Sequence, residues 1–581
     1  MKDINLRKIF LNTIARRRRL PVREVRVGEV PLGGGHPVRL QSMATTPTLD
    51  TAACVEEGIR IIRAGAEYLR FTAQNVAEAE NLANIRDALR RRGYRTPLIA
   101  DVHFNPSVAE TAARIVEKVR INPGNFVRFP EELSSLPPQR RDEAVRDTIR
   151  TRLVPLLHLC KAHGTALRIG VNHGSLAPRI VETYGDTPQG MVTSAMEYLR
   201  ICKEEDFHQV VLSMKSSNAR VMVQAYRLLV AAMAAEGDLY PLHLGITEAG
   251  EGDEGRIRSA TGMGALLAEG IGDTLRVSLT EPSENEIPVG KKLLHHLSSL
   301  RDGSMTPPFP PSFDPFEYHA PALAGLPGIT RTPAVVAARE RGDRAARQPD
   351  LWWEKERGRL VVAASGEEVP FLVIHPGDSE LPTPAAARDK VLVAEAREGE
   401  GANALMSLLA RLEAHHLHNP VIFKKHYDTP DREAFLVAAA ADMGPLFLDG
   451  YGQGIWLDHP RFPVSDIAFM ILQAARVRTT RPEYISCPSC GRTLFNIREV
   501  TARIRARTSH LTGVKIAIMG CIVNGPGEMA DADYGYVGSG KDRVTLYHRR
   551  EVVKRNIPAD RAVEELIKLI KEKGDWKDPE R

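Results

Sequence analysis

The sequence lacks several features that would direct it to a membrane or out of the cell. No apolar run reaches the roughly 18 residues of a membrane-spanning helix. A run of four arginines at residues 16–19 is not followed by an apolar stretch and a small-residue cleavage site, so no secretory signal is expected. Only six cysteines occur, unevenly spread, which excludes a disulfide framework. We therefore predict a cytoplasmic protein of a reducing compartment, with no membrane partner.

The chain also lacks a large excess of charge of one sign. It has 78 Lys and Arg residues against 73 Asp and Glu residues, a formal net charge of +5 over 581 residues. So small an excess gives little reason to expect a nucleic-acid partner. The composition, 43% hydrophobic and 26% charged, is ordinary for a globular protein, and the length allows about three to four domains.

Apolar, strand-like runs alternate with helix-like stretches from about residue 37 to residue 300. Near-continuous apolar strands separated by helices are typical of parallel βαβ units. Eight such units match a closed TIM (β/α)8 barrel. The eight runs begin at Pro37, Tyr68, Leu98, Val119, Ala166, Val210, Leu242 and Thr274.

Polar side chains stand at the ends of most of these strands. In TIM-barrel enzymes the active site lies at the C-terminal ends of the strands, here called the barrel mouth. Residues two apart on a strand share a face, so Arg120 with Asn122, and Arg276 with Ser278, should point into the same mouth. For any single residue, a helix cap or an ion pair is the alternative. The strand-end residues are Arg70, Thr72, Asp101, His103, Arg120, Asn122, Arg168, Asn172, Lys215, Glu248, Arg276 and Ser278.

The rest of the chain is divided by a Pro-rich stretch at residues 301–318, which reads as a linker. We predict three domains: a barrel over residues 1–300, an inserted structural α/β domain over 301–482, and a small α+β domain over 483–581. Three histidines at residues 415, 416 and 418 lack regular ligand spacing and are interpreted as part of a solvated loop. The sequence GYVGSGKD from Gly535 resembles a phosphate-binding loop, but a strand-like run follows it, which predicts a hairpin turn instead.

Three cysteines in the last hundred residues have the spacing of a metal centre. Cys487 and Cys490 form a C-x-x-C pair, and Cys521 follows after 30 residues. Soft thiolates select iron–sulfur clusters, zinc or Cu(I), and a closed 4Fe-4S cluster needs four ligands. Glu528 follows Cys521 across a turn of residues 524–527, which can bring its carboxylate close. A redox pair, or a zinc site completed by His510, remains open from the spacing alone.

Taken together, these motifs resemble those of the 4-hydroxy-3-methylbut-2-enyl-diphosphate synthase family (IspG/GcpE). The resemblance covers roughly residues 20–300 and 483–581, and the intervening segment is similar to the long, plant-type form, whose extra domain also resembles a barrel. The motifs that carry it are QSM, ADVHF, RINPGN, RIGVN-x-GSL, HLGITEAG, GIGDTLRVSL, CPSC and GC-x-VNGPGE.

The resemblance implies a site and a cofactor. It implies a C-terminal module similar to that of sulfite reductase and one 4Fe-4S cluster. It assigns Glu248 as the essential acid of the barrel. The implied cluster ligands are Cys487, Cys490, Cys521 and Glu528. The implied diphosphate-binding cations are Arg70, Arg120, Arg168 and Lys215, with polar contacts from Asp101, Asn122, Asn172 and Ser278.

The resemblance also implies an activity, the reductive ring opening and dehydration of methylerythritol cyclodiphosphate in isoprenoid biosynthesis. Reduced flavodoxin or ferredoxin would supply the electrons. In the short form of the family a neighbouring subunit covers the barrel mouth, which is compatible with a homodimer. We predict instead that the inserted domain lets this chain cover its own barrel. An aconitase-like hydro-lyase and a zinc-stapled binding module are the rival functions.

Overall fold

The computed structural model describes residues 5–15, 18–130, 136–301, 309–320, 325–339, 347–522, 525–529 and 531–579. The chain divides into two compact units. The barrel unit comprises residues 21–251, 272–291 and 481–581, and the insert unit comprises residues 1–20, 252–271 and 292–480. Two of the four arginines at residues 16–19, residues 302–308 of the predicted linker and Asn524 of the predicted turn lie outside the described residues. The first helix, α1 (Leu6–Ile14), belongs to the insert unit.

Eight parallel strands form the barrel, as the alternation of apolar runs predicts. They are β1 (Arg39–Met43), β2 (Tyr68–Ala73), β3 (Leu98–Val102), β4 (Lys118–Ile121), β5 (Ala166–Asn172), β6 (Val210–Lys215), β7 (His243–Leu244) and β8 (Thr274–Leu275). Their order in the sheet is β6-β5-β4-β3-β2-β1-β8-β7. A parallel bridge between Leu212 and Leu242 joins the two ends of this order and closes the ring. The predicted TIM barrel is confirmed.

The helices between these strands begin at recognisable caps. Asp50, Asn75 and Asn218 accept hydrogen bonds from backbone N–H groups of the first turn that follows each of them. The buried cysteines Cys54, Cys160 and Cys202 all lie on helices. The helices are α2 (Thr51–Ala64), α3 (Val76–Arg91), α4 (Pro106–Ala113), α5 (Pro123–Phe126), α6 (Pro138–His163), α7 (Pro178–Tyr184), α8 (Pro188–Glu204) and α9 (Ala219–Ala235).

The insert unit is built on a second eight-stranded sheet, so the predicted α/β character of this segment is confirmed. Six strands run parallel to one another, β11 pairs antiparallel with β10, and the edge strand β12 pairs antiparallel with β11. The order is β12-β11-β10-β9-β16-β15-β14-β13. The strands are β9 (Ala334–Ala338), β10 (Leu351–Glu354), β11 (Arg359–Val362), β12 (Glu368–Val369), β13 (Phe371–Ile374), β14 (Val391–Ala396), β15 (Val421–His426) and β16 (Gly454–Asp458). The helices are α10 (Gly252–Ala268), α12 (Pro384–Ala387), α13 (Ala402–Ala414), α14 (Arg432–Leu448) and α15 (Ser465–Ala474), while α11 (Glu286–Ser299) begins in the barrel unit and ends in this one.

The C-terminal part of the barrel unit is a five-stranded sheet in the order β17-β18-β19-β20-β21. Its strands are β17 (Glu483–Ser486), β18 (Lys515–Met519), β19 (Tyr534–Gly540), β20 (Arg543–His548) and β21 (Glu551–Pro558), and its helices are α16 (Ile497–Thr508), α17 (Gly525–Glu528) and α18 (Ala559–Glu572). The glycine-rich GYVGSGKD segment forms the hairpin between β19 and β20, as predicted. Strands β17 and β18 are parallel neighbours, so the residues that follow them, Cys487 and Gly520, emerge at the same edge.

The division into three consecutive domains at residues 300 and 482 stays a prediction, because the two compact units follow different boundaries. The three neighbouring histidines at residues 415, 416 and 418 lie at the exposed turn after α13, in agreement with their interpretation as a solvated loop. Within the described residues, no helix is both long enough and apolar enough to span a membrane.

Candidate active site

A single cavity of the barrel unit joins the barrel mouth to the segments that carry the cysteines, and its volume is about 90 Å³. The barrel contributes Met43, Arg70, Asp101, Arg120, Arg168, Asn172, Lys215, Thr247, Glu248, Arg276 and Ser278. The C-terminal segments contribute Cys487, Pro488, Ser489, Cys490, Arg492, Met519, Gly520, Cys521, Gly525 and Glu528. All these residues belong to the barrel unit of one chain. That the inserted domain lets this chain cover its own barrel mouth stays a prediction.

Every residue assigned to the site from the sequence lines this cavity, except Asn122. The Asn122 side chain caps α5 instead, because its Oδ1 accepts a hydrogen bond from the backbone N–H of Gly124 at 3.0 Å. Its Nδ2 is buried and has no hydrogen-bond partner among the described residues. The alternative of a helix cap therefore explains the position of the Asn122 amide oxygen but not that of its amide nitrogen. A contact between Asn122 and a substrate stays a prediction.

Four buried cations make the barrel mouth strongly positive. Arg70, Arg120, Arg168 and Lys215 are each at most 6% exposed. Burial, together with the neighbouring arginines, lowers the pKa of Lys215 well below its ordinary value. Burial alone would raise the pKa of Asp101, but Arg120 and Arg70 hold it well below its ordinary value. Six basic side chains but only three carboxyl groups line the cavity, so it suits an anion that carries several charges, such as a diphosphate.

Glu248 lies beyond the end of β7 in a strained backbone conformation, with φ of 50°. Its neighbour Ala249 forms a parallel bridge with Ser486 of β17, which fixes this segment against the C-terminal sheet. Burial raises the pKa of Glu248 well above its ordinary value, and the charge of Glu528, to which it is hydrogen-bonded, raises it further. Both effects favour the protonated form of Glu248, which faces the cavity.

The three cysteines surround the other side of the cavity, and each is half-buried. A left-handed residue, Ser489 with φ of 71°, allows the tight turn between Cys487 and Cys490. The backbone N–H of Gly520 donates to Cys487 Sγ at 3.3 Å. Burial raises the pKa of the Cys487 thiol, and the charges of Cys490 and then Cys521 raise it further, so the three sulfur atoms share one electrostatic environment.

His510 lies elsewhere in the C-terminal part. Its ring packs edge-on against Trp576, with 5.0 Å between the ring centroids, and it does not line the cavity. The zinc site of three cysteines and His510, which the spacing had left open, is therefore not formed. The described residues contain no group of three His, Cys, Asp or Glu side chains arranged around a single metal ion.

Arg492 and Thr247 of the cavity were not recognised as site residues from the sequence, and Arg276 was noted there only as a strand-end residue. Arg492, two positions after Cys490, is hydrogen-bonded to Cys490, and its Nη2 donates to Asp101 Oδ2 at 3.3 Å. Thr247 lines the cavity beside Glu248. Arg276 was noted at a strand end without a role, and it is held by two 2.9 Å hydrogen bonds to Glu286.

The cavity residues coincide with the parts of the chain that match known protein families. Residues 22–291 match the model described as the GcpE TIM-barrel domain, and residues 483–572 match that of the GcpE protein C-terminal domain. Curated relatives named 4-hydroxy-3-methylbut-2-en-1-yl diphosphate synthase (flavodoxin) include proteins from Phocaeicola vulgatus, 45% identical, and Porphyromonas gingivalis, 47% identical. The matches cover 95% of this chain in both cases, and 98% and 97% of the relatives. A relative of the same name from Akkermansia muciniphila is 46% identical over 96% of this chain and 97% of its own length. Alignments of this extent include most of the inserted segment.

Proposed function

The chain belongs to the GcpE family, and from this we propose that it converts 2-C-methyl-D-erythritol 2,4-cyclodiphosphate to 4-hydroxy-3-methylbut-2-enyl diphosphate. In this reaction a bond between carbon and a phosphate oxygen breaks to open the ring, a hydroxyl group leaves as water, and a double bond forms. Two electrons and two protons enter for each water released. The observation that carries the proposal is the single cavity in which four buried cations face three cysteines and Glu528.

The cofactor that we propose is one 4Fe-4S cluster held by Cys487, Cys490, Cys521 and Glu528. The donor set fits such a group, since three thiols and one carboxylate line the same cavity and thiolates are the usual ligands of these clusters. The N–H group of Gly520 supports the negative charge of Cys487. When bound, the cluster would pass electrons one at a time to the reacting carbon of the substrate.

The cations of the barrel mouth would bind the two phosphate groups. Arg70, Arg120, Arg168 and Lys215 present N–H donors from four different strands, which would fix the orientation of a diphosphate in the cavity. Asp101 orients Arg120, because Arg120 Nη1 donates to its Oδ1 at 2.9 Å. Asn172 and Ser278 add neutral polar groups at the ends of two further strands.

Glu248 would act as the general acid of the reaction. A departing hydroxyl group needs a proton, and the raised pKa of Glu248 favours the protonated carboxyl group that can supply one. It lines the same cavity as the cations that would hold the substrate. Since it is only 4% exposed, bulk water has little access to the proton that it delivers.

An external carrier must supply the electrons, two for each turnover. The curated relatives carry flavodoxin in their name, and we propose reduced flavodoxin or ferredoxin as the donor here. An oxygen-sensitive cluster and a reduced carrier both require a reducing compartment, so we propose that the enzyme works in the cytoplasm.

Anaerobic purification followed by metal analysis, a visible spectrum and a turnover assay tests the proposal. We expect a brown protein with about four irons per chain and conversion of the cyclodiphosphate only when reduced flavodoxin or ferredoxin is present. A colourless protein that contains zinc would support the binding module instead. Turnover of the same substrate without any reductant would support a hydro-lyase of the aconitase type.

A further inference from the structure

A continuous path of hydrogen bonds joins Glu528 to the cationic barrel mouth. Asn172 Nδ2 donates to Glu528 Oε1 at 2.7 Å, and Asn172 Oδ1 accepts from Arg120 Nη2 at 2.9 Å. Arg120 Nη1 in turn donates to Asp101 Oδ1 at 2.9 Å. The proposed cluster ligand is therefore connected through one amide group to a proposed phosphate ligand.

The chemistry of the two neighbours fixes how the Asn172 amide lies. A guanidinium group only donates hydrogen bonds and a carboxylate only accepts them. The amide oxygen must therefore face Arg120 and the amide nitrogen must face Glu528. An aspartate at this position would set a second carboxylate against Glu528, and a leucine could bond to neither neighbour.

Arg120 is the member of this path that a bound anion would reach. Its side chain lines the cavity, and its Nε is buried without a hydrogen-bond partner among the described residues. The guanidinium lies flat against β5 at Gly170, where an added Cβ would come within 2.5 Å of Nε. Its other two nitrogens are already engaged by Asp101, the ring of His103, Asn172 and the carbonyl of Gly170. A phosphate group that binds Arg120 must compete with these bonds.

The backbone around Glu528 has no comparable freedom. An added Cβ on Gly527 would lie 1.9 Å from the carbonyl oxygen of Gly174, in the loop that follows β5. Two backbone segments packed this closely leave no room for a shift of α17 towards the barrel. A change that draws Glu528 towards the barrel must therefore be expressed in its side chain.

We propose that Asn172 is a positioning residue that couples the binding of a diphosphate group at Arg120 to the orientation of the Glu528 carboxylate. When the anion draws Arg120 away, Asn172 Oδ1 loses the hydrogen bond from Arg120 that fixes the amide group. The hydrogen bond from Asn172 Nδ2 to Glu528 then weakens. The diphosphate end of the substrate thereby prepares the site at which its carbon skeleton reacts. This inference rests on the proposed function, because it takes Glu528 as a cluster ligand.

Inorganic pyrophosphate is the probe, because it carries two phosphate groups but none of the carbon atoms or hydroxyl groups of the substrate. The reduced, cluster-loaded full chain is examined by electron paramagnetic resonance with and without pyrophosphate. We expect pyrophosphate to change the signal of the wild-type protein. In Asn172→Leu the signal should already differ without pyrophosphate and should not respond to it. Asn172→Asp keeps the shape of the side chain and the contact with Arg120, and its signal should resemble that of Asn172→Leu. It replaces Asn172→Leu in the experiment if that variant does not fold.

A second measurement separates positioning from simple substrate contact. Calorimetry on the metal-free chain gives the affinity for pyrophosphate without any contribution from the cluster. If Asn172 competes with the anion for Arg120, Asn172→Leu should bind pyrophosphate at least as tightly as the wild type. Any gain in affinity should not exceed the roughly 5- to 150-fold range of typical couplings. Weaker binding would make Asn172 an ordinary contact and overturn the inference. Asn81 is a half-buried asparagine on α3 whose Nδ2 donates to the Thr48 carbonyl oxygen. Asn81→Leu is therefore the matched control and should behave as the wild type.

The outcomes also distinguish this inference from the proposed function. An unchanged wild-type signal at saturating pyrophosphate, with binding confirmed by calorimetry, would overturn the role of Asn172 alone. A chain that binds no pyrophosphate at all, or carries no cluster signal, would contradict the proposed function and the inference together.

Discussion

The carboxyl group of Glu248 is hydrogen-bonded to the carboxylate of Glu528. Two carboxyl groups can share a hydrogen bond only if one of them keeps its proton. Glu248 is the one whose pKa is raised, first by burial and then by the neighbouring charge. The proposed acid of the barrel and the proposed ligand from the C-terminal segment are thus in direct contact.

Replacement of Glu248 by glutamine should separate catalysis from binding. The amide keeps the shape of the side chain but cannot deliver a proton, so we expect kcat to fall by about 10²- to 10⁴-fold. The affinity for the cyclodiphosphate, measured by calorimetry, should stay within a few fold because the four cations are untouched. Turnover near the wild-type value would show that another group supplies the proton.

A mixing experiment tests whether, in solution, the C-terminal part of each chain covers the barrel mouth of the same chain. The cavity combines Glu248 and Cys521 of the same chain. Glu248→Gln chains lack the acid and Cys521→Ser chains lack a cluster ligand, so in a mixture every site built from one chain keeps one defect. We expect no recovery of activity above the sum of the separate variants. Recovery approaching a quarter or more of wild-type activity would mean that two chains exchange their C-terminal parts.

Most of the barrel could be predicted because its signals are local. Each parallel strand is buried on both faces and reads as one apolar run, and the helices between the strands show their own periodicity. The residues at the strand ends followed from the rule that the mouth of a barrel carries its chemistry. The hairpin between β19 and β20 and the helix α18 were likewise visible in their own segments.

The remainder of the site depends on contacts that no local pattern records. Arg492 and Asp101 are 391 positions apart, and Asn172 and Glu528 are 356 positions apart. Asn122 shows the opposite difficulty, since a strand-end position that suits a ligand also suits the cap of the next helix. The boundary between the two compact units was equally hidden, because α10 follows a barrel strand in sequence but belongs to the insert unit.

The close approach of two glycines should make the C-terminal segment intolerant of a methyl group. A Cβ on Gly527 would lie 1.9 Å from the Gly174 carbonyl oxygen, so Gly527→Ala must push α17 away from the barrel. We expect a lower melting temperature and loss of most of the bound iron under anaerobic conditions. Gly540→Ala is the control, since its Cβ would meet only ordinary contacts at 3.6 Å or more. Equal iron content in the two variants would contradict the predicted role of this contact.

The insert unit contains a buried carboxylate whose charge should appear in the pH dependence of stability. Asp442 Oδ2 is 2.7 Å from Lys425 Nζ, and Oδ1 is 2.8 Å from His296 Nε2. Burial alone would raise the pKa of Asp442, but Lys425 and then His296 lower it to about 2. Because the folded pKa lies below the unfolded value, the stabilisation is present above about pH 4 and is lost as the pH falls towards 2.

Asp442→Asn should remove this dependence. We expect the variant to lose roughly 3 kcal/mol at pH 7, because Lys425 is left buried without its partner, and to lose less additional stability than the wild type between pH 4 and pH 2. Calorimetric unfolding across this pH range measures both effects. Asp458→Asn, which disrupts a much more exposed pair with His426, is the control and should cost at most about 1 kcal/mol. An acid-induced loss of stability as large in Asp442→Asn as in the wild type would rule out Asp442 as its source.

Arg492 should set the reduction potential of the proposed cluster. Its guanidinium is hydrogen-bonded to Cys490, lines the cavity and is balanced on the other side by Asp101. A cation beside the thiolates favours the reduced, more negative state, as hydrogen bonds and charges around such centres generally do. Arg492→Met should therefore lower the midpoint potential, and a shift of about 60 mV would mean a tenfold loss of the reduced form at a fixed potential.

A redox titration followed by electron paramagnetic resonance gives this value independently of turnover. Arg492→Lys keeps the charge but loses the planar fork, so its potential should lie between those of the wild type and Arg492→Met. Loss of iron from Arg492→Met in proportion to its loss of signal would mean that the residue holds the segment in place. An intact cluster with an unchanged potential would show that Asp101 already cancels the charge of Arg492 at the cysteines.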